Sequence, residues 1–532
     1  MTETGKKYKV WEPLLLSIMV VIGMIAGVRL AQSDTRSLKP DTAITNTRYS
    51  GRQVEEIIRF LETRYVNDIE TDALVEKAIH SILQGLDPHT HYFPPDQMTE
   101  IEERNGGHYV GIGVEVAFIR DSLIILYPRK DSPAEKAGLR PGDFILSVNG
   151  REIKNDTLEQ KEILSLIKGI KGTKVTLTVK SIASHELRTV EVLREEIKVP
   201  SVVAAYMIDS AVAYIKVQRF TNSTYREFMD QWEKLATTRH AEHLILDLRD
   251  NPGGYLKEAV NILSQIIEEE GQLLVYTEGQ HQQRIEYKST GKIFFPIGNV
   301  TVLINEGSAS ASEIIAGCLQ DQDRGLIIGS PSYGKGLVQE QYELSNGGVL
   351  RLTISRYYTP SGRSIQKAYD TTTSVVDTQL IYRTVSGRPV HAGGGIMPDI
   401  QVKDAIDWNQ PDQLAWMDII SEFAIRYNLN EHDGQIVPIE QMEEVMHNLP
   451  SDDVILRELI ALAALGKKEV VSDLMIFLKN NQEDILHIAH ATIVAYRTRE
   501  EGWYIAFNED DPVVQKARSM AKLDLLMALE SK

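Results

Sequence analysis

The residues best suited to chemistry are a serine and a lysine that lie some way apart in the chain. Ser308, Ser310 and Ser312 occupy every second position after an apolar run, and Lys335 follows between two glycines. A serine hydroxyl becomes an effective nucleophile when a base takes its proton, and a lysine can be that base when its amine is neutral. Burial among apolar residues lowers the pKa of a lysine and favours the neutral amine. The pattern therefore indicates acyl transfer by a serine that a lysine activates.

The flanking sequence predicts elements that could bring these groups together. Thr301–Asn305 predicts a buried strand, and a helix is predicted from about Ala311 after a glycine-containing turn. A helix N-terminus offers free N–H groups and the positive end of the helix dipole, which suit an oxyanion. Gln339 lies four residues after Lys335 and would share a face with it, so its amide could hold the lysine amine in place.

A purely structural interpretation fits the same residues. Ser310 and Glu313 form the pattern S-x-x-E, which is typical of a capping box that satisfies helix N–H groups. A Gly-Lys-Gly sequence is also common in surface turns. Spacing alone therefore leaves both interpretations open.

SASASE followed by YGKGLVQ resembles the signature of the C-terminal processing peptidases, also called tail-specific proteases, which are serine-lysine endopeptidases. The resemblance implies that Ser310 is the nucleophile, Lys335 the general base and Gln339 the residue that orients the lysine. The gap of 25 residues from Ser310 to Lys335 agrees with the family pattern.

The stretch DLRDNPGG, which begins at Asp247, is similar to a second motif of that family. Its two glycines allow close backbone approach, and one of their amides could complete an oxyanion hole with the amide of Ala311. Gly254 is favoured slightly over Gly253. An ordinary connection from strand to helix would need the same glycines.

Residues 102–183 resemble the PDZ domain of the same family, most clearly at SPAEKAGLRPGDFILSVNG. A PDZ domain binds a peptide's terminal carboxylate with loop N–H groups and adds the peptide to its sheet. The loop residues that the resemblance assigns to peptide binding are Tyr109, Val110, Gly111, Ile112, Gly113 and Val114. Many relatives have an arginine at the position of Lys168, which faces the protease domain in a contact thought to gate it. A lysine keeps the charge but cannot form the two parallel hydrogen bonds of an arginine, so a gating role for Lys168 is in doubt. A PDZ fold that binds no tail is the alternative.

The N-terminus has the pattern of an export segment. Lys6, Lys7 and Lys9 precede an uncharged, mostly apolar run over residues 13–28. The run is short for a spanning helix, so a cleaved signal peptide competes with an anchor. No clear small-x-small cleavage site lies near Ala31, which favours the anchor. Either interpretation places the rest of the chain outside the cytoplasm.

Composition narrows the classes of partner. The 532 residues carry a net charge of −18, which argues against nucleic acid or anionic lipid headgroups as partners of a broad surface. Cys318 is the single cysteine and is expected to be a small core residue. His89 and His91 lack a frame of carboxylates or cysteines, so structural roles are expected rather than metal binding or action as a base for Ser310. The proposed chemistry needs no metal and no cofactor.

The predicted fold is an α/β, crotonase-like protease core, as the family implies, with an inserted PDZ domain, N-terminal helices and a helical C-terminal extension. The predicted order along the chain is an anchor or signal segment (1–32), a tether (33–50), N-terminal helices (51–101), the PDZ domain (102–183), the protease core (184–403) and the extension (404–532). The sequence does not show whether the extension packs on the core, contacts a second protomer or binds an adaptor.

The functional hypothesis is an extracytoplasmic serine endopeptidase that cleaves proteins at or near exposed C-terminal tails, which the PDZ domain recognises. The resemblance also implies a homodimer formed through the N-terminal helices. Two alternatives stay open: a non-catalytic PDZ scaffold of the cell envelope, and a serine-lysine hydrolase acting on cell-wall peptides. Against the second, the serine and lysine of this chain lie far apart in sequence, unlike those in the S-x-x-K helix of penicillin-binding enzymes.

Overall fold

A computed structural model describes residues 51–119, 122–153, 160–181, 186–368, 380–403, 411–465, 468–523, 527 and 529. The chain divides into two compact units, Met1–Ile79 and His80–Lys532. In the first unit lie helix α1 (Gly51–Arg64) and the start of α2 (Thr71–Gln84). No residue of α1 is buried, and its Val54, Ile57 and Phe60 are exposed.

The N-terminal part of the second unit contains a small antiparallel sheet that has the PDZ pattern. Two elements lead into it, strand β1 (His91–Phe93) and helix α3 (Met98–Gly106). Its strands and helices are β2 (His108–Gly111), β3 (Val114–Ile119), β4 (Ser122–Pro128), α4 (Pro133–Lys136), β5 (Asp143–Val148), β6 (Arg151–Glu152), α5 (Gln160–Ile167), β7 (Lys174–Ser181), β8 (Leu187–Leu193) and β9 (Glu195–Lys198). The strand order is β3-β4-β5-β7-β8, with β6 paired to β5, so β3 forms one edge. Strand β2 pairs separately with β9.

The core of the second unit is a mainly parallel sheet of six strands. Its elements are β10 (Val202–Met207), β11 (Val212–Val217), α6 (Thr224–Arg239), β12 (His243–Asp247), α7 (Leu256–Ile266), β13 (Leu273–Glu278), β14 (Ile285–Lys288), β15 (Val300–Ile304), α8 (Ala311–Asp321) and β16 (Gly325–Gly329). The strand order is β10-β11-β12-β15-β16-β21, where β21 is Ile400–Gln401, and β10 alone runs antiparallel to its neighbour. Strands β11, β12, β15 and β16 are almost continuous apolar runs, as expected for parallel strands covered on both faces.

A second, antiparallel sheet carries the segment that follows Lys335. It contains β17 (Leu337–Glu343) and the long strand β18 (Val349–Tyr358), and β18 also pairs with β1 and β13. The hairpin β19 (Ile381–Arg383) and β20 (Pro389–His391) comes later in the chain. Because β17 starts directly after Gly336, this sheet fixes the backbone position of the neighbouring Lys335.

Helices make up the described part of the C-terminal extension: α9 (Pro411–His432), α10 (Met442–His447), α11 (Asp452–Ala463), α12 (Lys468–Asn480), α13 (Gln482–Thr498), α14 (Glu500–Asn508) and α15 (Pro512–Met520). Trp416, Ile420 and Phe423 of α9 share an apolar cluster with Ile124 of β4 in the PDZ sheet. Helix α15 packs on the main sheet instead, because Val513, Val514 and Ala517 lie in one cluster with residues of β11, β12 and β15. The extension therefore contacts both the PDZ sheet and the protease core of its own chain.

The predicted fold class is confirmed, since an α/β core, a PDZ sheet and added helices are all present. The strand predicted at Thr301–Asn305 forms as Val300–Ile304, and Cys318 is buried within α8. In the described residues, no helix is long and apolar enough to cross a membrane. The predicted anchor or signal segment over residues 13–28 lies outside the described residues.

Candidate active site

The turn between β15 and α8 gives its three serines different roles. Ser308 is fully buried, accepts a hydrogen bond from the Asn305 N–H (2.9 Å) and donates to the Leu248 carbonyl (2.8 Å). Ser312 is also fully buried and donates to the Asn251 carbonyl (2.9 Å). Ser310 lies between them, is partly exposed and has φ of 55°. The outer serines thus hold the turn, and the middle serine reaches the surface in a backbone conformation that non-glycine residues seldom adopt.

Glu313 joins the serine segment to the lysine segment. One carboxylate oxygen accepts the Ser310 N–H (2.9 Å) and the Lys335 N–H (2.9 Å). The other accepts the Gly334 N–H (2.8 Å) and the Ser332 hydroxyl (2.5 Å). Burial raises the pKa of Glu313 to about 7, although these hydrogen bonds oppose the rise. The glutamate of the S-x-x-E pattern therefore both caps α8 and holds the two candidate catalytic residues in register.

Tyr357 of β18 provides a second link between the same two residues. Its hydroxyl is within hydrogen-bond distance of the carbonyl oxygens of Ser310 (3.2 Å) and Lys335. The ring itself is buried in the core. Backbone groups of the serine and the lysine are thus bound on both sides, by a carboxylate and by a phenol.

Lys335 has the environment that a neutral amine needs. Burial and the positive charge of Arg351 lower the pKa of Lys335, whereas Glu313 and Asp87 oppose the change. In the described residues, no hydrogen bond joins the Ser310 Oγ to the Lys335 Nζ. Catalytic hydrogen bonds are often long without substrate and shorten in the complex. The geometry therefore brings the two segments together, and the catalytic roles of Ser310 and Lys335 stay predictions.

Gln339 lies in β17, and its amide nitrogen donates to Thr353 Oγ1 in β18 (3.3 Å). Thr353 in turn donates to the Asp87 carboxylate (3.2 Å). The hydrogen bonds found in the described part of the chain do not include one from Gln339 to the lysine amine. Its predicted role in orienting Lys335 is therefore untested, and the structure connects it first to the loop that contains Asp87.

That loop, Asp87–Thr90, lies beside the lysine. Asp87 accepts hydrogen bonds from the N–H groups of His89 (2.7 Å) and Thr90 (2.9 Å). Burial and the nearby positive charge of Lys335 lower the pKa of His89 to about 4. The sequence assigned a structural role to this stretch but did not predict that it borders Lys335. Asp87 and Pro88 are local signals for the turn, and they say nothing about the distant partner.

The glycine pair of DLRDNPGG lies against the serine turn. A Cβ on Gly253 would lie 2.7 Å from the Ser310 Cβ and 2.9 Å from the Ala311 nitrogen. The Gly253 N–H donates to the side-chain oxygen of Asn251 (2.9 Å), so it is already bound within the loop. The N–H of Gly254 is therefore the better candidate to act with that of Ala311, in agreement with the slight preference from sequence.

The PDZ loop is partly used within the protein. Strand β2 pairs with β9, and the Val110 N–H also donates to the Glu103 carboxylate (2.8 Å). Ile112 and Gly113 lie between β2 and β3, outside both ladders. The Lys168 amine is 3.6 Å from the same carboxylate and 5.1 Å from the centre of the Tyr109 ring. Lys168 thus contacts the PDZ loop and its flanking helix α3.

In the described residues, no group of three or more His, Cys, Asp or Glu side chains is arranged to hold a metal ion.

The model of peptidase family S41 matches residues 211–376, and a PDZ-domain model matches residues 124–181. A carboxy-terminal-processing protease of Bartonella bacilliformis is 34% identical over 380 residues, which span 68% of this chain and 84% of the relative. A probable CtpA-like serine protease of Staphylococcus aureus is 33% identical over 349 residues, which span 65% of this chain and 68% of the relative.

Among solved structures, the photosystem II D1 C-terminal processing protease aligns with 26% sequence identity and a TM-score of 0.36. The alignment covers 65% of this chain and 86% of that protein. The family of this chain is inferred from the sequence relatives and not from this superposition.

Proposed function

We propose, from the premise that this chain belongs to peptidase family S41 and is a serine-type peptidase of the carboxy-terminal-processing kind, that Ser310 and Lys335 form its catalytic pair. The observation that carries the proposal is the shared carboxylate of Glu313. It accepts the backbone N–H of Ser310 and that of Lys335, which lie 25 residues apart, at the same oxygen. A surface turn and an ordinary helix cap would not need this common acceptor.

In the proposed mechanism, the Ser310 hydroxyl attacks a peptide carbonyl while the neutral Lys335 amine accepts its proton. The N–H groups of Ala311 and Gly254 donate to the oxyanion that forms on the carbonyl oxygen. The ammonium of Lys335 then returns the proton to the departing amine, and an acyl-enzyme is left on Ser310. Water then attacks the ester while Lys335 accepts its proton; the bond from the acyl carbon to Ser310 Oγ breaks, the acid is released, and Lys335 returns the proton to the serine oxygen.

Gln339 is proposed to assist catalysis indirectly, through Thr353 and Asp87. Its amide is linked through Thr353 to Asp87, and Asp87 belongs to the loop beside the lysine. A rigid link from β17 to this loop would limit the positions that the Lys335 side chain can take. Preorganisation of the base in this way favours proton transfer in the transition state.

The PDZ domain is proposed to recognise a free C-terminal tail. Strand β3 is at the edge of its sheet and can pair with an extended peptide, and Ile112 and Gly113 offer N–H groups where the terminal carboxylate would lie. The substrates would then be proteins with exposed C-terminal tails, cleaved at or near those tails.

We further propose that the catalytic part lies outside the cytoplasm, held by the apolar segment over residues 13–28. Homodimer formation is proposed through the N-terminal helices, where α1 exposes Val54, Ile57 and Phe60. Exposed apolar residues on one helix are the kind of surface that a second copy could cover.

The test incubates the purified full-length chain with an unfolded protein and with peptides that end in a free carboxylate. Wild-type protein is expected to cleave both, and Ser310→Ala and Lys335→Met are expected to cleave neither. Equal cleavage by wild type and Ser310→Ala would contradict the proposal. Binding of tails without cleavage by any variant would favour the scaffold, and cleavage of cell-wall peptides alone would favour the other hydrolase.

A further inference from the structure

A cluster of four buried charges lies under the loop that leads to Gly253 and Gly254. Lys216 of β11, Asp247 at the end of β12, and Arg249 belong to the protease core, whereas Asp511 comes from the C-terminal extension. The Arg249 guanidinium donates to Asp247 and, at 2.7 Å, to the Asp511 carboxylate. The Lys216 amine donates to Asp247 at 3.1 Å. The core thus relies on a carboxylate that enters the sequence 262 residues after Arg249.

Asp511 supplies one of the two carboxylates that these four side chains bring together. Lys216 and Arg249 contribute two positive charges, and Asp247 and Asp511 contribute two negative ones. A buried charge without a partner is costly, so a side chain that loses its partner moves or draws in water. Without Asp511, Arg249 would lose a buried carboxylate partner that lies 2.7 Å away.

Each oxygen of Asp511 has a separate role. Oδ1 accepts the N–H groups of Val513 (2.8 Å) and Val514 (3.1 Å) and so caps α15. Oδ2 accepts from Arg249. Helix α15 is in turn packed on the main sheet through Val513 and Val514. The carboxylate is therefore held in place by its own helix and does not depend on Arg249 for its position.

The two residues that follow Arg249 are hydrogen-bonded to the serine turn. The next residue, Asp250, donates its N–H to the Asn305 side chain (2.8 Å). The carbonyl of Asn251 then accepts the Ala309 N–H (3.0 Å) and the Ser312 hydroxyl (2.9 Å). These bonds lie on both sides of Ser310, so a shift of Arg249 is transmitted to the nucleophile and to the glycine pair.

We propose that Asp511 is a positioning residue for catalysis, which acts through Arg249 on the loop Asp250–Tyr255 and sets the geometry of the oxyanion site. The C-terminal extension is then a working part of the peptidase core and not a separate adaptor module. The inference rests on the proposed roles of Ser310 and Gly254. A correctly placed loop would stabilise the transition state more than the bound substrate, so its loss lowers kcat rather than raising KM.

The experiment compares full-length wild type with Asp511→Asn, Asp511→Glu and the control Lys522→Met. Asparagine keeps the helix cap but presents an N–H₂ or an uncharged oxygen to Arg249, whereas glutamate restores the charge on a longer side chain. Lys522 forms an ion pair with Asp209 at 3.0 Å, also between the extension and the core, but both side chains are partly exposed. The assay measures kcat and KM on a tail peptide and the fraction folded by circular dichroism, well below each melting temperature.

Asp511→Asn is expected to lower kcat per folded molecule by about 10- to 100-fold with KM unchanged, because small misplacements at a site have effects of this size. Asp511→Glu should fall between Asp511→Asn and wild type, and Lys522→Met should match wild type. Loss of stability with kcat unchanged would overturn the inference. If Asp511→Asn does not fold, Arg249→Lys decides, because lysine keeps the positive charge beside Asp247 but cannot bind both carboxylates as the guanidinium does; a wild-type kcat in that variant would overturn the inference. Failure of the proposed function itself would show separately, as a wild type that is inactive or a Ser310→Ala variant that is active.

Discussion

Replacement of Gly253 by alanine tests the geometry of the oxyanion site with a single methyl group. Gly253 has φ of 91°, and its Cα faces the start of α8. The added Cβ would lie 2.7 Å from the Ala309 carbonyl oxygen, 2.7 Å from the Ser310 Cβ and 2.9 Å from the Ala311 nitrogen. Two of these atoms are backbone atoms and cannot avoid the methyl group by changing rotamer, so the loop or the serine turn has to move.

The size of the effect follows from two contributions. The strain of a non-glycine residue in this backbone region costs about 1–3 kcal/mol of stability. The methyl group also displaces the start of α8, where the Ala311 N–H is the proposed oxyanion donor, and loss of one such donor costs about 10²–10³ in kcat. Gly253→Ala is therefore expected to be folded but destabilised, with kcat per folded molecule reduced by about that factor.

Gly271→Ala is the matched control. Gly271 has φ of 79°, and a Cβ there would meet nothing within 4 Å, so the control carries the backbone strain without the steric contact. Both variants are compared by thermal melting and by kcat on a tail peptide. Similar melting temperatures with a large loss of kcat in Gly253→Ala alone would support the reasoning. A Gly253→Ala enzyme with the kcat of the control would refute it.

Four further predictions concern Glu313, the pH dependence of wild type, the serine turn and the substrate tail. Glu313→Gln is expected to lower kcat by about 10²-fold, because an amide cannot accept from all four donors and the serine and lysine segments separate. In wild type, kcat should fall as the pH drops through about 7, since protonation of Glu313 removes the same acceptor; a flat profile across this range would contradict the role. Ser308→Ala is expected to lose about 1–3 kcal/mol of stability in denaturant unfolding, whereas Ser310→Ala should lose less, because only its part in the cap of α8 is removed, and should lose all proteolysis; equal destabilisation by the two would refute the division of roles. Amidation of a substrate's C-terminus is expected to raise KM roughly tenfold by removing a charged hydrogen-bond acceptor, and an unchanged KM would count against tail recognition.

The sequence predicted most of the local elements because they are set by local patterns. The apolar run before Asn305, the glycines of DLRDNPGG and the S-x-x-E pattern at Ser310 each predict structure from neighbouring residues, and all three lie where they were expected. Roles that depend on distant partners were missed. Glu313 was interpreted as a helix cap, and its hydrogen bond to the Lys335 N–H could not be inferred from a residue 22 positions away.

Two other contacts were outside the reach of sequence patterns for the same reason. Asp87 binds Thr353, which lies 266 residues later, and this contact holds the loop before the PDZ domain beside Lys335. Asp511 could be predicted to cap a helix, because it precedes a proline and an apolar run. Its second partner, Arg249, depends on how the extension packs on the main sheet, which no local pattern reports.

The central claim is that a neutral Lys335 amine activates the Ser310 hydroxyl. It is tested most directly by the rate at which a fluorophosphonate labels Ser310 as a function of pH, in wild type and in Lys335→Met. The wild-type rate is expected to rise with pH and to reach half its maximum below the ordinary lysine pKa, because burial favours the neutral amine. Lys335→Met should lose the part of this rise that does not come from Glu313, whose pKa is about 7, and should label more slowly by about 10²–10⁴-fold, the usual contribution of a general base. A methionine variant that labels at the wild-type rate and with the wild-type pH dependence would contradict the account.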